Sequence, residues 1–261
     1  MAGFRIQKFS KTRIATIDVC AIGLKKHHVA SMIEIDVTDS RKKIKKYKNE
    51  TGKISFNAWL IKAISLTIKN HEQVAAYLKG KQKLVIFNDI NVSMAVEKEL
   101  NGQKVPVPLV IEKANERSLE SITAQISEAK SENMAVGDMV LQRRSGRMER
   151  MYNLLPGFIR RTFWRYLLKH PFYAYRKMGN IAVTSIGMVG NVNGWFIPVS
   201  VHPVCFGING IAKKPLEVDG AVEVREMLNL TVLLDHDVVD GAYMARFLNE
   251  LSGNIRNGIG L

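Results

Sequence analysis

Polar and apolar side chains alternate from position 29 to 37: Val29, Ser31, Ile33, Ile35 and Val37 on one side, Met32, Glu34 and Asp36 on the other. A period of two predicts a β-strand. Thr38 or Asp39 is placed to cap a helix running through Tyr47. Its Arg41, Lys42, Lys43, Lys45, Lys46 and Lys48 read first as a solvated face, with phosphate binding as the lesser reading. Phe56–Asn70 is mostly apolar and predicts a buried helix, with Trp59, Leu60, Ala63, Ile64 and Ile68 in the core. His71 at its end reads as a partner for the helix C-terminus. Short strands are expected at 84–87 and 90–96. The Asn101-Gly102 turn then leads to a strand at 105–111, which Pro106 and Pro108 assign to a sheet edge. Ser118 is placed to cap a helix with Leu119, Ile122, Ile126 and Ala129 in one stripe.

The second half reads less evenly. Residues 179–187 form a strand ending in hydroxyls and glycine, and 195–201 and 205–211 are two more, separated by His202-Pro203. Lys213-Lys214-Pro215 and Asp219-Gly220 mark a hairpin-like connection. The alternation of Leu228, Leu230, Val232 and Leu234 follows, and then a helix over 243–251 with Met244, Leu248 and Leu251 at helical spacing. A short helix after Ala15 is weakened by Gly23, and His27 and His28 read as exposed loop residues. There is no internal repeat, no low-complexity linker, no G-x-G-x-x-G and no P-loop. Strands and helices mix without strict βαβ alternation, which predicts an α/β sandwich built on a mixed sheet.

Composition narrows the partners. The chain of 261 residues is 46% hydrophobic and 24% charged, as a soluble globular protein is. Cys20 and Cys205 are its two cysteines, too few for a disulfide framework or a metal cluster, so the expected setting is reducing and cytoplasmic. The first residues lack the apolar run of a signal peptide, and no stretch is long and apolar enough to span a bilayer. The net charge of +14 favours anionic partners: nucleotides, coenzyme A, nucleic acid or acidic lipid.

That charge is concentrated between 141 and 178, where ten Lys/Arg face a single acid, Glu149, among eight of the chain's twenty aromatic residues. Ile159, Phe163, Tyr166 and Leu167 make one helical face, with Arg160, Arg161, Arg165 and Lys169 largely off it. Three readings stand: a helix packed on its own domain or a neighbouring subunit, a basic amphipathic element for an anionic membrane surface, and nucleic-acid binding. The last is the least favoured, since no recognition motif accompanies the charges.

Candidate chemistry lies at 233–242, Leu-Leu-Asp-His-Asp-Val-Val-Asp-Gly-Ala, where the alternating strand ends and the last helix is about to start. A side chain at a strand end is held firmly, and imidazole exchanges a proton near neutrality. His236 is thus a candidate general base, with Asp240 four residues on and Gly241 permitting a turn. A core histidine bonded to a nearby carboxylate is the bland alternative. A metal pair is a weaker one, because zinc takes three or four ligands and no H-E-x-x-H or C-x-x-C accompanies these residues.

The run Asp235-His236-Asp237-Val238-Val239-Asp240-Gly241-Ala242 resembles the signature of the acyltransferase component of 2-oxo acid dehydrogenase complexes. More distantly it resembles chloramphenicol acetyltransferase, whose motif begins with two histidines where Asp235-His236 stands here. Two further stretches agree: 91–96 with Val105-Pro106-Val107-Pro108, like the family's central strands, and Val183-Thr184-Ser185-Ile186-Gly187, like its hydroxyl strand. The resemblance covers roughly 11–130 and 179–251 and implies a chloramphenicol acetyltransferase-like two-layer sandwich, a mixed β-sheet with helices on one side. It implies one catalytic domain over 1–261 carrying a basic aromatic insertion at 141–178.

By position, His236 is the implied base, Thr184 the oxyanion donor, and Asp240 the ordering acid, with Arg13 as its partner. Lys213 and Lys214 are implied phosphate contacts for coenzyme A or acyl-coenzyme A, the substrate. No metal is implied. Sites between subunits of a homotrimer are. No lipoyl domain precedes the motif-bearing part, so a free-standing member without a covalently bound lipoyl group is expected, any lipoylated protein acting in trans. The insertion adds the expectation of peripheral docking on an anionic membrane. One departure is Asp237, where the family has arginine; a non-catalytic structural subunit is the alternative reading.

Overall fold

A computed structural model describes residues 3–7, 13–100, 103–131, 152, 154–186 and 193–261. In chain order, α1 (Arg13–Gly23) leads to β1 (His28–Asp36), α2 (Thr38–Thr51) and α3 (Phe56–Asn70). A 3-10 turn (Glu72–Ala75) and a small hairpin, β2 (Tyr77–Lys79) and β3 (Lys83–Val85), come next. Then follow β4 (Val92–Leu100), β5 (Gln103–Ile111) and α4 (Leu119–Lys130). After α5 (Gly157–Lys169) and α6 (Pro171–Met178) come β6 (Ile181–Ser185), β7 (Val204–Val218), β8 (Ala221–Asp235) and α7 (Gly241–Asn257).

Six strands form one mixed sheet in the order β1-β8-β7-β6-β4-β5. β6 runs parallel to both its neighbours, and the other pairs are antiparallel. β5 is an edge strand, where the missing N–H groups of Pro106 and Pro108 cost no ladder bond on the open side. The core lies on one face. Ile35, Val183, Phe206, Leu230 and Val232 point from the sheet into a layer made by α2, α3, α4 and α7. Helix α3 has the bounds expected from its pattern; Ser55 Oγ caps it by accepting the Ala58 N–H at 3.1 Å. Ser118 does the same for α4 through Ser121 at 3.2 Å.

Four expectations change. Neither Thr38 nor Asp39 caps α2: Thr38 already lies in the helix, and Asp36 Oδ1 accepts its N–H at 2.9 Å. The 84–87 strand reaches only Val85 and belongs to the separate two-stranded sheet with β2. Lys213-Lys214-Pro215 is no connection but part of β7, paired with Glu226, Arg225 and Val224. The turn falls at Asp219-Gly220, both with positive φ (50° and 82°), as a tight two-residue hairpin requires.

The fourth concerns 195–201, which is extended but joins no strand. It crosses the sheet's second face: a Cβ on Gly207 would lie 3.4 Å from both Phe196 and Pro198 side chains. Its Phe196 N–H is taken by the Asn209 side chain at 3.0 Å, and Pro198 has none to give. The same segment packs on α1, where a Cβ on Gly23 would stand 2.9 Å from the Ser200 carbonyl oxygen. Gly23, read as a helix weakener, is there for close approach.

The inserted helices pack on α1 and on the small hairpin in a second apolar cluster that includes Ile22, Tyr77, Leu167, Ala174 and Met178. The predicted face of α5 is not the packed one. Leu167 is buried, but Ile159, Phe163 and Tyr166 are exposed, and the helix seats itself through Arg160, Trp164, Leu167 and Leu168. A buried ion pair decides this orientation. Asp18 on α1 is buried, and its Oδ2 accepts from Arg160 Nε at 2.6 Å and from the Tyr152 hydroxyl at 2.9 Å. Trp164 Nε1 donates in turn to the Tyr152 hydroxyl at 2.9 Å. An unpaired buried carboxylate costs several kcal/mol, on the order of the whole burial gain of one or two phenylalanines, so the arginine side faces in.

At the start of β6, Gly179 has φ 71° and a Cβ there would stand 2.3 Å from the Asn91 carbonyl oxygen. Gly179→Ala is therefore expected to lower stability by about 2 kcal/mol or more in urea unfolding. Gly220→Ala, with φ 82° but open space around it, should cost only about 1 kcal/mol. Equal losses would mean that the contact with Asn91 does not constrain β6.

Candidate active site

His236 follows the last residue of β8 and opens the turn into α7. The turn is tied down on both sides of it. Asp235, buried, accepts a charge-assisted hydrogen bond from Lys26 Nζ, and its N–H donates to the Pro203 carbonyl. Its own carbonyl then accepts from Val238 at 3.0 Å and Val239 at 3.2 Å. Asp237, exposed, receives His27 Nδ1–H at 2.9 Å, and the His236 N–H donates to the His27 carbonyl at 2.9 Å. Lys26 and His27 thus hold three consecutive residues. The imidazole of His236 itself is exposed and forms no hydrogen bond among the described residues.

The histidines around it sort by burial. His28, expected to be a loop residue, is in β1; it is partly buried and donates from Nε2 to the His202 carbonyl at 3.0 Å. Burial lowers its pKa. His202 is fully enclosed: Nε2–H donates to the Met178 carbonyl at 2.9 Å, and burial pushes its pKa down to about 4. In His27, by contrast, the hydrogen bond and charge of Asp237 raise the pKa above 6.5.

Asp240 is the N-cap of α7, its Oδ1 accepting the Tyr243 N–H at 2.8 Å. Arg13, at the start of α1, makes no ion pair with it among the described residues of one chain. Thr184 is on β6, partly buried, on the second face of the sheet with Gly207 and Thr231; its hydroxyl forms no hydrogen bond among the described residues. Gly187 lies outside the described residues.

Register fixes how far apart these groups are. Thr184 pairs with Gly207, and Gly207 with Thr231, five residues before His236. Strand spacings of about 3.4 Å per residue and 4.8 Å between strands put Thr184 roughly 15–20 Å from His236 within one chain. Acid–base chemistry needs contact, about 3 Å. One chain therefore carries His236, Asp240 and their supports at one end of the sheet, and Thr184 elsewhere. Lys213 and Lys214 are farther still from His236, opposite Glu226 and Arg225 of β8. Lys214 Nζ is paired with Glu34 and sits over the Trp195 ring, 5.8 Å from its centroid. Lys213 lines an open cleft of about 430 Å³ with Arg41, Asn193, Ile211, Ala212 and Glu226.

Sequence reasoning missed Lys26 and His27 as the parts that hold the turn. Their signal was Asp237 itself, an acid calling for a cation. Among the described residues, no group of three or more His, Cys, Asp or Glu is arranged to hold a metal ion.

Comparison with known proteins gives three findings. The model of the family described as 2-oxoacid dehydrogenases acyltransferase (catalytic domain) matches residues 6–138 and 176–260, leaving 139–175, most of the inserted segment, outside. The lipoamide acyltransferase component of the branched-chain alpha-keto acid dehydrogenase complex of Bacillus subtilis is 26% identical over 230 residues, covering 86% of this chain and 45% of that protein. The chain thus spans less than half the length of that relative.

Among solved structures, the Azotobacter vinelandii dihydrolipoamide acetyltransferase superposes with a TM-score of 0.69 at 17% identity, over 97% of this chain and 92% of that one. Its description concerns the catalytic roles of a serine, a histidine and an asparagine four positions after the histidine. A chloramphenicol acetyltransferase matches with a TM-score of 0.51 at 10% identity, over 97% of this chain and 98% of that one. The fold is of that type.

Two titrations test the surroundings of the turn. Below about 6.5 the His27–Asp237 pair is fully ionic, and as pH rises through the raised value the ring loses its proton and the pair weakens. In an NMR titration Asp237→Asn should bring the His27 ring back toward 6.5; an unmoved titration would show that Asp237 is not its partner. His202 acts in the opposite sense. An unfolded chain protonates that ring from about 6.5 downward and the folded one only near 4, so stability falls with pH over this window by about 3 kcal/mol. His202→Gln should flatten that part of the urea-unfolding profile, and an unchanged slope would contradict the burial of a neutral ring.

Proposed function

Since the chain belongs to the 2-oxoacid dehydrogenase acyltransferase (catalytic domain) family, we propose that it moves an acyl group between a thioester and a thiol, with coenzyme A as one of the two thiol carriers. The supporting observation is the turn at 235–240: an exposed imidazole with no hydrogen bond among the described residues, on a backbone held from both sides by Lys26 and His27. A general base must be fixed in place yet open to its substrate, and His236 meets both conditions.

His236 takes the proton from the attacking thiol. The sulfur bonds to the thioester carbonyl carbon, and the negative charge collects on the carbonyl oxygen. Thr184, whose hydroxyl forms no hydrogen bond among the described residues, donates to that oxyanion. As the carbonyl re-forms, the bond to the original sulfur breaks and the imidazolium returns its proton to the departing thiolate. The distance between His236 and Thr184 within one chain supports a reading in which a second copy supplies the missing half, and we take the working unit to be a trimer or a multiple of it.

Asp240, four positions after His236, has the spacing of the asparagine in the Azotobacter protein. Its cap bond to Tyr243 fixes the start of α7, and an arginine such as Arg13 would reach it only from another copy. Lys213 and Lys214 lie on β7 beyond Gly207, the neighbour of Thr184. A coenzyme A whose sulfur reaches Thr184 would run along that strand toward them. The acyl acceptor is a second thiol, that of a lipoyl group on another protein in this reading, and the whole chain 1–261 acts as one catalytic domain with an inserted segment.

The purified protein should release free coenzyme A from acetyl- or branched-chain acyl-coenzyme A in the presence of dihydrolipoamide. His236→Ala should lower the rate by about 10³-fold and Thr184→Ala by about 10²-fold. Mixing the two variants should restore part of the activity through hybrid sites. Full activity of His236→Ala would remove it from the mechanism. No turnover by the intact protein would leave a structural subunit as the reading.

A further inference from the structure

The inserted segment shows solvent what a globular surface normally hides. Phe158 is 66% exposed, Phe172 62%, Tyr166 56% and Phe163 47%, and Leu154 is more exposed still. An apolar group of this size on a protein surface marks a contact. These side chains lie on α5 and α6 and on the residues leading into them, and they alternate with cations. Between 154 and 178 there are six Lys/Arg and no Asp or Glu. One of them, Arg160, is used up internally by Asp18. Around the outer face of α5, Arg165, Phe158, Lys169, Tyr166, Ile159 and Phe163 follow one another at helical spacing, cations at one edge and apolar groups at the other.

Helices α5 and α6 are held in place. Beyond the buried Asp18–Arg160 pair, Phe87 and Tyr175 stack with ring centroids 3.8 Å apart, fixing α6 against the body of the protein. The outward display of rings is therefore imposed by the packing, which points Arg160 and Trp164 inward. Helix α5 and most of α6, with all of the exposed rings, also fall in the part of the chain that the family match leaves out.

We infer that the outer face of α5 and α6 docks on the surface of an anionic phospholipid bilayer, with Phe158, Phe163, Tyr166 and Phe172 among the acyl chains and Arg165, Lys169, Arg176 and Lys177 on the headgroup phosphates. Charge selects this occupant. A face with cations and no acid repels the same face of another copy, which excludes an isologous contact through it. Nucleic acid would satisfy the cations and stack on rings but leaves Leu154 and Ile159 in water. A bilayer surface takes both, the apolar groups entering about 5–10 Å and each cation near anionic lipid adding attraction. Among the described residues no helix is long and apolar enough to cross the membrane, so the contact is superficial.

Sedimentation of the full chain with vesicles tests this. Vesicles mixing phosphatidylcholine and phosphatidylglycerol should carry the protein down at low salt, and phosphatidylcholine alone should carry far less. Binding should weaken as salt rises. Phe158→Ser with Phe163→Ser, and separately Arg165→Gln with Lys169→Gln, should each reduce the bound-to-free ratio roughly tenfold or more. All four side chains are exposed, so circular dichroism and melting temperature should stay as in the parent. Protein left in the supernatant with both vesicle types overturns the proposal, as does equal binding of the variants. A changed oligomer size of the phenylalanine variant in sedimentation velocity would assign the face to a subunit contact instead. Tighter binding to DNA than to anionic vesicles at the same salt would assign it to nucleic acid.

Discussion

A charged carboxylate can be kept inside a protein only where a cation comes in with it. Asp235 is buried at the last position of β8, and Lys26 meets it from the loop between α1 and β1. The consequences spread from this pair. The strand end is tied to the loop, the loop supplies the His27 carbonyl that takes the His236 N–H, and His27 reaches across to Asp237. Where the family's motif carries an arginine after the histidine, this chain has an acid and, facing it, a histidine. The charge departs from the motif but is answered locally, and the backbone around His236 keeps its hold.

The sheet topology sets what a single chain is able to do. Because β6 is parallel to β7 and β7 antiparallel to β8, moving along β6 toward Thr184 means moving away from the β8 end that carries His236. No side-chain rearrangement closes a gap of several residues along a strand. The imidazole of His236 and the hydroxyl of Thr184 therefore stay apart within one chain, and neither forms a hydrogen bond among the described residues.

Helix α1 joins the two parts of the protein that the catalytic fold does not unite by itself. Its Gly23 end lies against the 199–200 backbone over the sheet's second face, and its buried Asp18 holds α5. The same buried acid that fastens the insertion also sets its orientation. Pairing Asp18 Oδ2 with Arg160 and Tyr152 leaves the more apolar side of the helix outside. Burial of charge outranks burial of rings here, because a lone buried carboxylate is costlier than a few half-exposed aromatic side chains.

Much was legible along the chain. The period-two pattern of β1 and β8, the apolar run of α3, the serine caps of α3 and α4 and the prolines of β5 all act through neighbours a few residues away, and local rules suffice for them. The segment 195–201 looks like a strand because its side chains alternate, yet alternation does not say whether a neighbour's backbone is free to pair; Asn209 and Gly207 decided that. Lys213-Lys214-Pro215 looked like a connection, although β8 continued opposite it. The face of α5 that packs, the cations that hold the His236 turn and the separation of Thr184 from His236 depend on groups tens to hundreds of residues apart. Near neighbours along the chain were enough to mark most helices and strands and to single out the 235–242 run, because periodicity and capping act over a few residues. Only the tertiary structure decided which side chains share a site and which face water, because those follow from strand order and from where buried charges find their partners.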